Sequence, residues 1–292
     1  ERLSALAETI RLADRLPTVL GRIDFIDMGG GLPVRYLEDA GQWHQFWETL
    51  EKALRGARPA ITYRNHGLGL EASDGQVVGS PRTYPYAQPL DAPTWLARIR
   101  HGELPGDSAK TVAAALRRRG LALRCEPGRS LLDGCGMTAA RVVWTKEHPA
   151  GHRIAGLEMN RTQCRTSSDD FLVDPFVVPA GLRPADPDAR PTYLTGAYCI
   201  ENEVLCWRAL ETPRGLHPGD VVVWANTAGY FMHFLESRSH QLPMARNLVL
   251  DPMTDTFELD AIDQASEPRR EGPVETNAAP DADPAGQPHN RP

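Results

Sequence analysis

The chain has 292 residues, 41% of them apolar, and a formal net charge of −6. An acidic balance of this size argues against nucleic acid or an anionic membrane as the main partner, and no apolar run approaches the ~20 residues needed to span a bilayer. The five cysteines (Cys125, Cys135, Cys164, Cys199 and Cys206) show no Cys-x-x-Cys spacing and read as reduced thiols of a cytoplasmic protein; no signal peptide is read at the start and no metal site is expected.

In chain order, residues 1–20 read as an amphipathic helix, with Leu3, Leu6, Ile10, Ala13 and Leu16 at helical spacing. A strand at 22–28 ends in Asp27-Met28-Gly29-Gly30-Gly31-Leu32-Pro33. Trp43, Phe46, Trp47, Leu50 and Leu54 form a second helical stripe, read as core. Ile61-Thr62-Tyr63 reads as a strand, and Asp74-Gly75 as a hairpin turn between 68–71 and 76–78. The stretch 79–93, rich in Pro and Tyr, reads as a surface loop. A basic helix over 108–119 carries Lys110, Arg117, Arg118 and Arg119 and reads as a solvated face at a helix C-terminus. It leads into a second apolar strand, Leu121-Ala122-Leu123, which ends in Cys125-Glu126-Pro127-Gly128-Arg129-Ser130.

Beyond that turn, 130–143 reads as a helix or extended crossover. Short strands follow over 140–145, 153–158, 193–199, 220–224 and 246–250, giving a β-rich second domain. The predicted organisation is α/β followed by β: one domain over 1–138 with an insertion near 60–105, a β domain over 139–262, and a disordered tail over 263–292. Asp169-Asp170 reads as a solvated turn. His148 and His152 flank Pro149 and Gly151, which disfavours a helical metal pair; His66, His233 and His240 have no partner in the sequence pattern.

The two strand ends carry the chemistry. Three successive glycines remove the side chains at a strand end, so backbone N–H groups can approach an anion closely. Glu126 and Arg129 add a carboxylate and a guanidinium on a proline-fixed turn. Singly, each has a plainer reading: the glycines as a tight corner, Glu126 as an ion-pair partner of Arg129, and Cys199 as a buried thiol.

Four segments in order resemble the fold-type III pyridoxal-phosphate (PLP) decarboxylases, the alanine-racemase-like group that holds the ornithine, diaminopimelate, arginine and carboxynorspermidine enzymes. They are Asp27-Met28-Gly29-Gly30-Gly31, Glu126-Pro127-Gly128-Arg129, Gly196-Ala197-Tyr198-Cys199 and Asn226-Thr227-Ala228-Gly229-Tyr230. The resemblance covers about residues 1–250 and implies the C-terminal strands of a PLP-binding (β/α)8 barrel of TIM type followed by a β domain. It implies that Gly29, Gly30 and Gly31 bind the cofactor phosphate with Gly128, Arg129 and Tyr230 nearby, and that Glu126 faces the pyridine nitrogen. A carboxylate there favours the protonated ring, a better electron sink for loss of CO2 than the Arg-paired ring of racemases. Cys199 would come from the partner subunit of a homodimer and protonate carbon as a general acid. Glu201 and Glu203 stand near the position that reads the distal group of the amino-acid substrate.

The chain departs from the pattern at three places. Ile200 stands where the ornithine and diaminopimelate branches place an acid directly after the cysteine. The connection from Gly31 to Glu126 is longer than the family's, and its extra segment, with Tyr84-Pro85-Tyr86, could cover the pocket. The three lysines, Lys52, Lys110 and Lys146, lack the Tyr-x-x-Lys-Ala setting of the cofactor-binding lysine, and the cofactor-stacking His-x-Gly-Ser is missing, so the chain reads as the C-terminal part of a longer enzyme. The expected activity is an amino-acid decarboxylase. A racemase or other α-carbon enzyme of the same fold, or a lysine-free inactive remnant or half-subunit, stands as the alternative.

Overall fold

In the computed structural model, residues 1–16, 21–165 and 170–266 are described. Helix α1 (Arg2–Arg15) turns Leu6, Ala7, Ile10 and Ala13 inward, the spacing of a single buried helical stripe. Strands β1 (Phe25–Asp27) and β4 (Ala122–Arg124) pair in parallel, Phe25 opposite Ala122 and Asp27 opposite Arg124. Parallel pairing needs a long crossover, and everything between Asp27 and Ala122 forms it.

That crossover begins with helix α2 (Ala40–Leu54), capped by Asp39, whose carboxylate accepts the Gly41 N–H. Strands β2 (Leu70–Ser73) and β3 (Gln76–Gly79) form the expected hairpin, with Asp74 at φ 49° and Gly75 at φ 75°, the left-handed pair that a two-residue primed turn requires. The 61–63 stretch is not a ladder strand: Thr62 makes one bridge, to Arg208, and Tyr63–Asn65 is a single 3-10 turn. Helix α3 (Ala92–His101), capped by Asp91 with Pro93 in its first turn, lies inside the segment read as an insertion. Helix α4 (Val112–Arg119) follows. Its basic end is not simply solvated: Arg119 pairs with Asp14 of α1 at 2.6 Å and with Asp107 at 2.8 Å, and Arg118 with Asp107.

After the 3-10 turn Gly128–Leu132, no α-helix forms over 130–143; strand β5 (Met137–Glu147) takes the second half of that stretch. With β6 (Arg153–Leu157), β7 (Phe176–Val178), β8 (Thr192–Thr195) and β9 (Val221–Ala225) it builds a five-stranded sheet, order β7-β9-β5-β6-β8, mixed because β6 and β8 run parallel. Asp169 and the stretch 267–292, most of the expected tail, lie outside the described residues.

Apolar burial divides into two clusters. One joins α1, β1, α3 and α4 through Leu6, Ile10, Ile26, Ile99, Val112 and Leu116. The other joins the sheet (Val142, Leu157, Leu194, Trp224) to Trp47 and Leu50 of α2 and to Tyr86. The long crossover is thus part of the β core. Tyr86, read as a surface-loop residue, is fully buried; its hydroxyl donates to the Asp170 carbonyl at 3.3 Å. Asp170 is also fully buried, with Arg208 alongside at 3.7 Å.

Contacts divide the chain into a unit over Glu1–Met244 and a second from Ala245 onward. The second contains the antiparallel hairpin β10 (Leu248–Asp251) and β11 (Thr256–Leu259), then helix α5 (Ala261–Ser266), so the expected tail begins in a helix.

Candidate active site

The parallel pairing of β1 and β4 sets their C-terminal ends side by side, and the two chemical turns follow them directly. The Glu126 N–H donates to the Gly29 carbonyl at 3.0 Å, and Met28 N–H to Arg124 O at 3.0 Å, so the turns are stitched together by backbone. A Cβ on Gly30 would meet the Glu126 carbonyl at 2.9 Å. Gly31 has φ +88°, and a Cβ there would stand 2.8 Å from the guanidinium of Arg2. The Arg2 guanidinium donates to the carbonyls of Met28 (2.5 Å) and Gly30 (2.8 Å). With those carbonyls held on the Arg2 side, the Gly30 and Gly31 N–H groups have no protein acceptor among the described residues.

These turns form one side of an open cavity of about 730 Å³, within the size range of small-molecule and cofactor sites. Gly30, Gly31, Glu126, Gly128, Arg129 and Tyr230 all line it; Gly29 does not, and its N–H is taken by Asp27 at 2.8 Å. The remaining wall comes from the crossover: Tyr84, Pro85, Gln88, Pro89, Leu90 and Trp95.

Arg129 stands in an aromatic cage. Its guanidinium lies 4.2 Å from the Tyr84 ring centre, 4.9 Å from Phe231 and 5.7 Å from Tyr230, and donates to the Tyr36 hydroxyl at 3.4 Å. Cation–π contact supports the charge, yet among the described residues no carboxylate pairs with it. A cavity-lining cation without an anion, beside two unengaged N–H groups, has the donor set for a phosphate, and Glu126 lines the same cavity. The residues present therefore fit the phosphate end and the ring-nitrogen partner of PLP. Burial raises the Tyr36 hydroxyl above its usual range despite the Arg129 bond, keeping it a neutral acceptor.

Tyr230 reaches the cavity from the segment after β9, with φ 71°. Its neighbour Asn226, φ 57°, accepts the Gly134 N–H at 2.9 Å and donates to Asp133 at 3.0 Å, tying this segment to the end of the Arg129 turn.

Cys199 is not brought to the cavity of its own chain; it is exposed on the turn that follows β8. Neither acid proposed to read substrate lines the cavity. Glu201 is exposed and pairs with Arg64 at 3.2 Å. Glu203 is 2% exposed, and its Oε1 accepts the Arg161 N–H at 2.8 Å. Burial raises its carboxyl above the ordinary range, against the pull of the Arg161 and Tyr198 N–H groups and of Arg161 and Arg165. Cys206 is buried and Cys164 half-buried, and desolvation pushes both thiols up to about 12.

The structure supplies the histidine partners that the sequence pattern lacked. His66 stacks on Trp207 at 3.9 Å, His233 pairs with Glu236 at 2.8 Å, and the His240 ring lies 5.3 Å from Tyr198. His148 and His152 stack on each other at 4.3 Å. Arg2, Tyr36, Tyr84 and Trp95 were not singled out from sequence as site residues; only Tyr84 carried a signal, the aromatic-proline run in the long crossover.

No established family profile matches the chain. It is 34% identical over 229 residues to the uncharacterized protein y4yA of Sinorhizobium fredii (strain NBRC 101917 / NGR234), over 77% of this chain and 45% of that protein. Among solved structures it superposes on a diaminopimelate decarboxylase at TM-score 0.54 and 14% identity, covering 88% of this chain and 49% of the other. Diaminopimelate decarboxylase from Helicobacter pylori, complexed with L-lysine, matches at TM-score 0.50 and 17% identity, 88% and 46% covered. The chain therefore shares its fold with the fold-type III PLP decarboxylases, over their C-terminal portion. It spans about half the length of the proteins it matches. Among the described residues no helix is long and apolar enough to cross a membrane.

Proposed function

We propose that this chain is the C-terminal part of a PLP-dependent amino-acid decarboxylase and supplies the phosphate cradle and ring partner of its active site. The observation that carries the reading is the convergence of Gly30, Gly31, Glu126, Arg129 and Tyr230 on one cavity from separate segments. Gly30 and Gly31 would hold the phosphate through backbone N–H groups, with Gly29 setting the turn and Gly128 making room for the Tyr230 hydroxyl beside the Arg129 charge. Glu126 would keep a proton on the ring nitrogen. The bound cofactor supplies the electron sink for the pair left at Cα when CO2 departs. Cys199 would deliver the proton to that carbon from a second copy, because its own chain points it away from the cavity. A homodimer with shared sites and a small amino-acid substrate follow from this reading, as does a soluble cytoplasmic setting.

None of Lys52, Lys110 and Lys146 lines the cavity. In this proposal the lysine that holds the cofactor belongs to polypeptide outside this chain. The division proposed for the chain is a barrel part to about residue 138, with the crossover over about 60–105 as one wall of the site, a β domain to about 262, and a tail.

Equilibrium dialysis of the chain against pyridoxal phosphate tests the cradle. Arg129→Ala should weaken binding about tenfold or more, the value of one charge-assisted contact. Unchanged binding, or none by the full-length protein, overturns the reading. CO2 release against loss of optical rotation by the full-length protein, over a panel of amino acids, separates decarboxylase from racemase.

A further inference from the structure

The turn that carries Cys199 is tied down from both ends by a single residue. Glu203 is 2% exposed, and its Oε1 accepts the Arg161 N–H at 2.8 Å. Its carbonyl accepts the Gly196 N–H at 3.3 Å and the Thr195 hydroxyl, and its own N–H closes the turn on the Ile200 carbonyl at 3.1 Å. Gly196 is packed against the carboxylate so closely that a Cβ there would stand 2.2 Å from Oε1 and 2.7 Å from the Met159 carbonyl. Around this residue, Ala197 N–H donates to Met159 O at 2.9 Å and the Arg161 guanidinium to Asn202 O at 2.9 Å. The bonds of Arg161 and Ala197 run between the 195–203 turn and the 159–161 corner, whose own capping box (Asn160 and Gln163) is bonded onward to Glu236. Cys199 and Ile200 of the same turn are exposed.

We propose that Glu203 is a positioning residue that fixes the Cys199 turn against the 159–161 corner, and that it does not touch substrate. The inference gives functional weight to Cys199 and in that respect rests on the reading above, but its geometry stands without the cofactor. A carboxylate is suited to the task because its Oε1 takes a charge-assisted bond from the Arg161 N–H of the neighbouring corner and, buried as it is, it cannot swing out to solvent without vacating a site closed by Gly196.

The test uses the full chain and no cofactor. Amide hydrogen exchange is followed over 196–203, and iodoacetamide modification of Cys199 is compared with that of Cys135, a second exposed thiol on a turn remote in sequence. Glu203→Gln keeps one carbonyl acceptor but removes the charge that strengthens the bond from the Arg161 N–H. It should speed exchange over 196–203 about tenfold or more and speed Cys199 modification severalfold, with Cys135 and the amides of β5 and β6 unchanged. Glu203→Asp should restore part of the protection. Gly196→Ala, which displaces the carboxylate without removing it, should reproduce the Gln phenotype. If Glu203→Gln and Gly196→Ala leave 196–203 protected, the proposal fails; if they loosen β5 and β6 equally, Glu203 is a general core residue and the proposal also fails. Neither result bears on pyridoxal phosphate binding, which Arg129→Ala tests separately.

Discussion

At Gly31 the backbone conformation and the neighbouring guanidinium set the same requirement. Its φ of +88° disfavours any side chain, and Arg2 fills the space a Cβ would need. Gly31→Ala is expected to cost about 1–2 kcal/mol of stability and to turn the Arg2 contacts away from the Met28 and Gly30 carbonyls. Chemical denaturation and phosphate-competition binding would both register it. The glycine triplet and the Glu126–Arg129 turn were legible in the sequence because each is a local run whose chemistry is complete within a few residues. Arg2 and Trp95 were not, because a helix-start arginine and a helix tryptophan acquire meaning only from what lies across from them. The burial of Glu203 was not legible for the same reason: its position beside a cysteine is local, whereas its packing against Gly196 is tertiary.

Among the elements, β9 depends on the residue that precedes it. Asp220 is fully buried and accepts the Ala180 N–H at 3.0 Å, the His217 N–H at 2.9 Å and two bonds from Arg183, one of them at 2.8 Å. Burial opposes its charge, but these donors prevail and hold the carboxyl below its ordinary range. A depressed folded-state value contributes stability that is complete above the unfolded-state titration, near pH 4, and lost as pH falls through the folded one. Asp220→Asn should therefore cost about 1–3 kcal/mol at neutral pH, the value of charge-assisted bonds to a buried carboxylate whose arginine partner is partly exposed. Thermal unfolding from pH 7 to pH 3 should fall more steeply for the natural chain than for the variant; parallel curves would remove Asp220 from the account. The strands themselves were mostly legible from β-branched runs such as Val221-Val222-Val223. The stretch over 130–143 was legible only as a choice between a helix and an extended crossover, because pairing with β9 and β6 is what makes its second half a strand.

On the scale of the whole molecule, the five-stranded sheet covers one face with the aromatic core and leaves apolar side chains on the other. Phe176 is 66% exposed and Val178 54%, on an edge strand, with Met137 and Val143 of β5 also exposed. An uncovered edge of this kind is adhesive. Sedimentation of the chain should show concentration-dependent association that Phe176→Lys with Val178→Lys reduces; association unchanged by both would place the contact elsewhere. The change in texture along the sequence, from helices to short strands, was legible, and the five-stranded sheet lies where it was read. The merging of α2 and Tyr86 into the sheet's core was not, since apolar stripes do not state which neighbour they bury against.

The pairing of Phe25 with Ala122 brings together the ends of a very long stretch of chain. Three residues of parallel ladder on each side are a small return for closing such a loop. The two turns line one cavity only when that closure is complete, so an anion held as proposed between the Gly31 and Arg129 turns would bind the closed form alone. By mass action, occupancy by such an anion would then add directly to the free energy of unfolding, and the ligand of the proposed site would also act as the clasp of the chain that makes it.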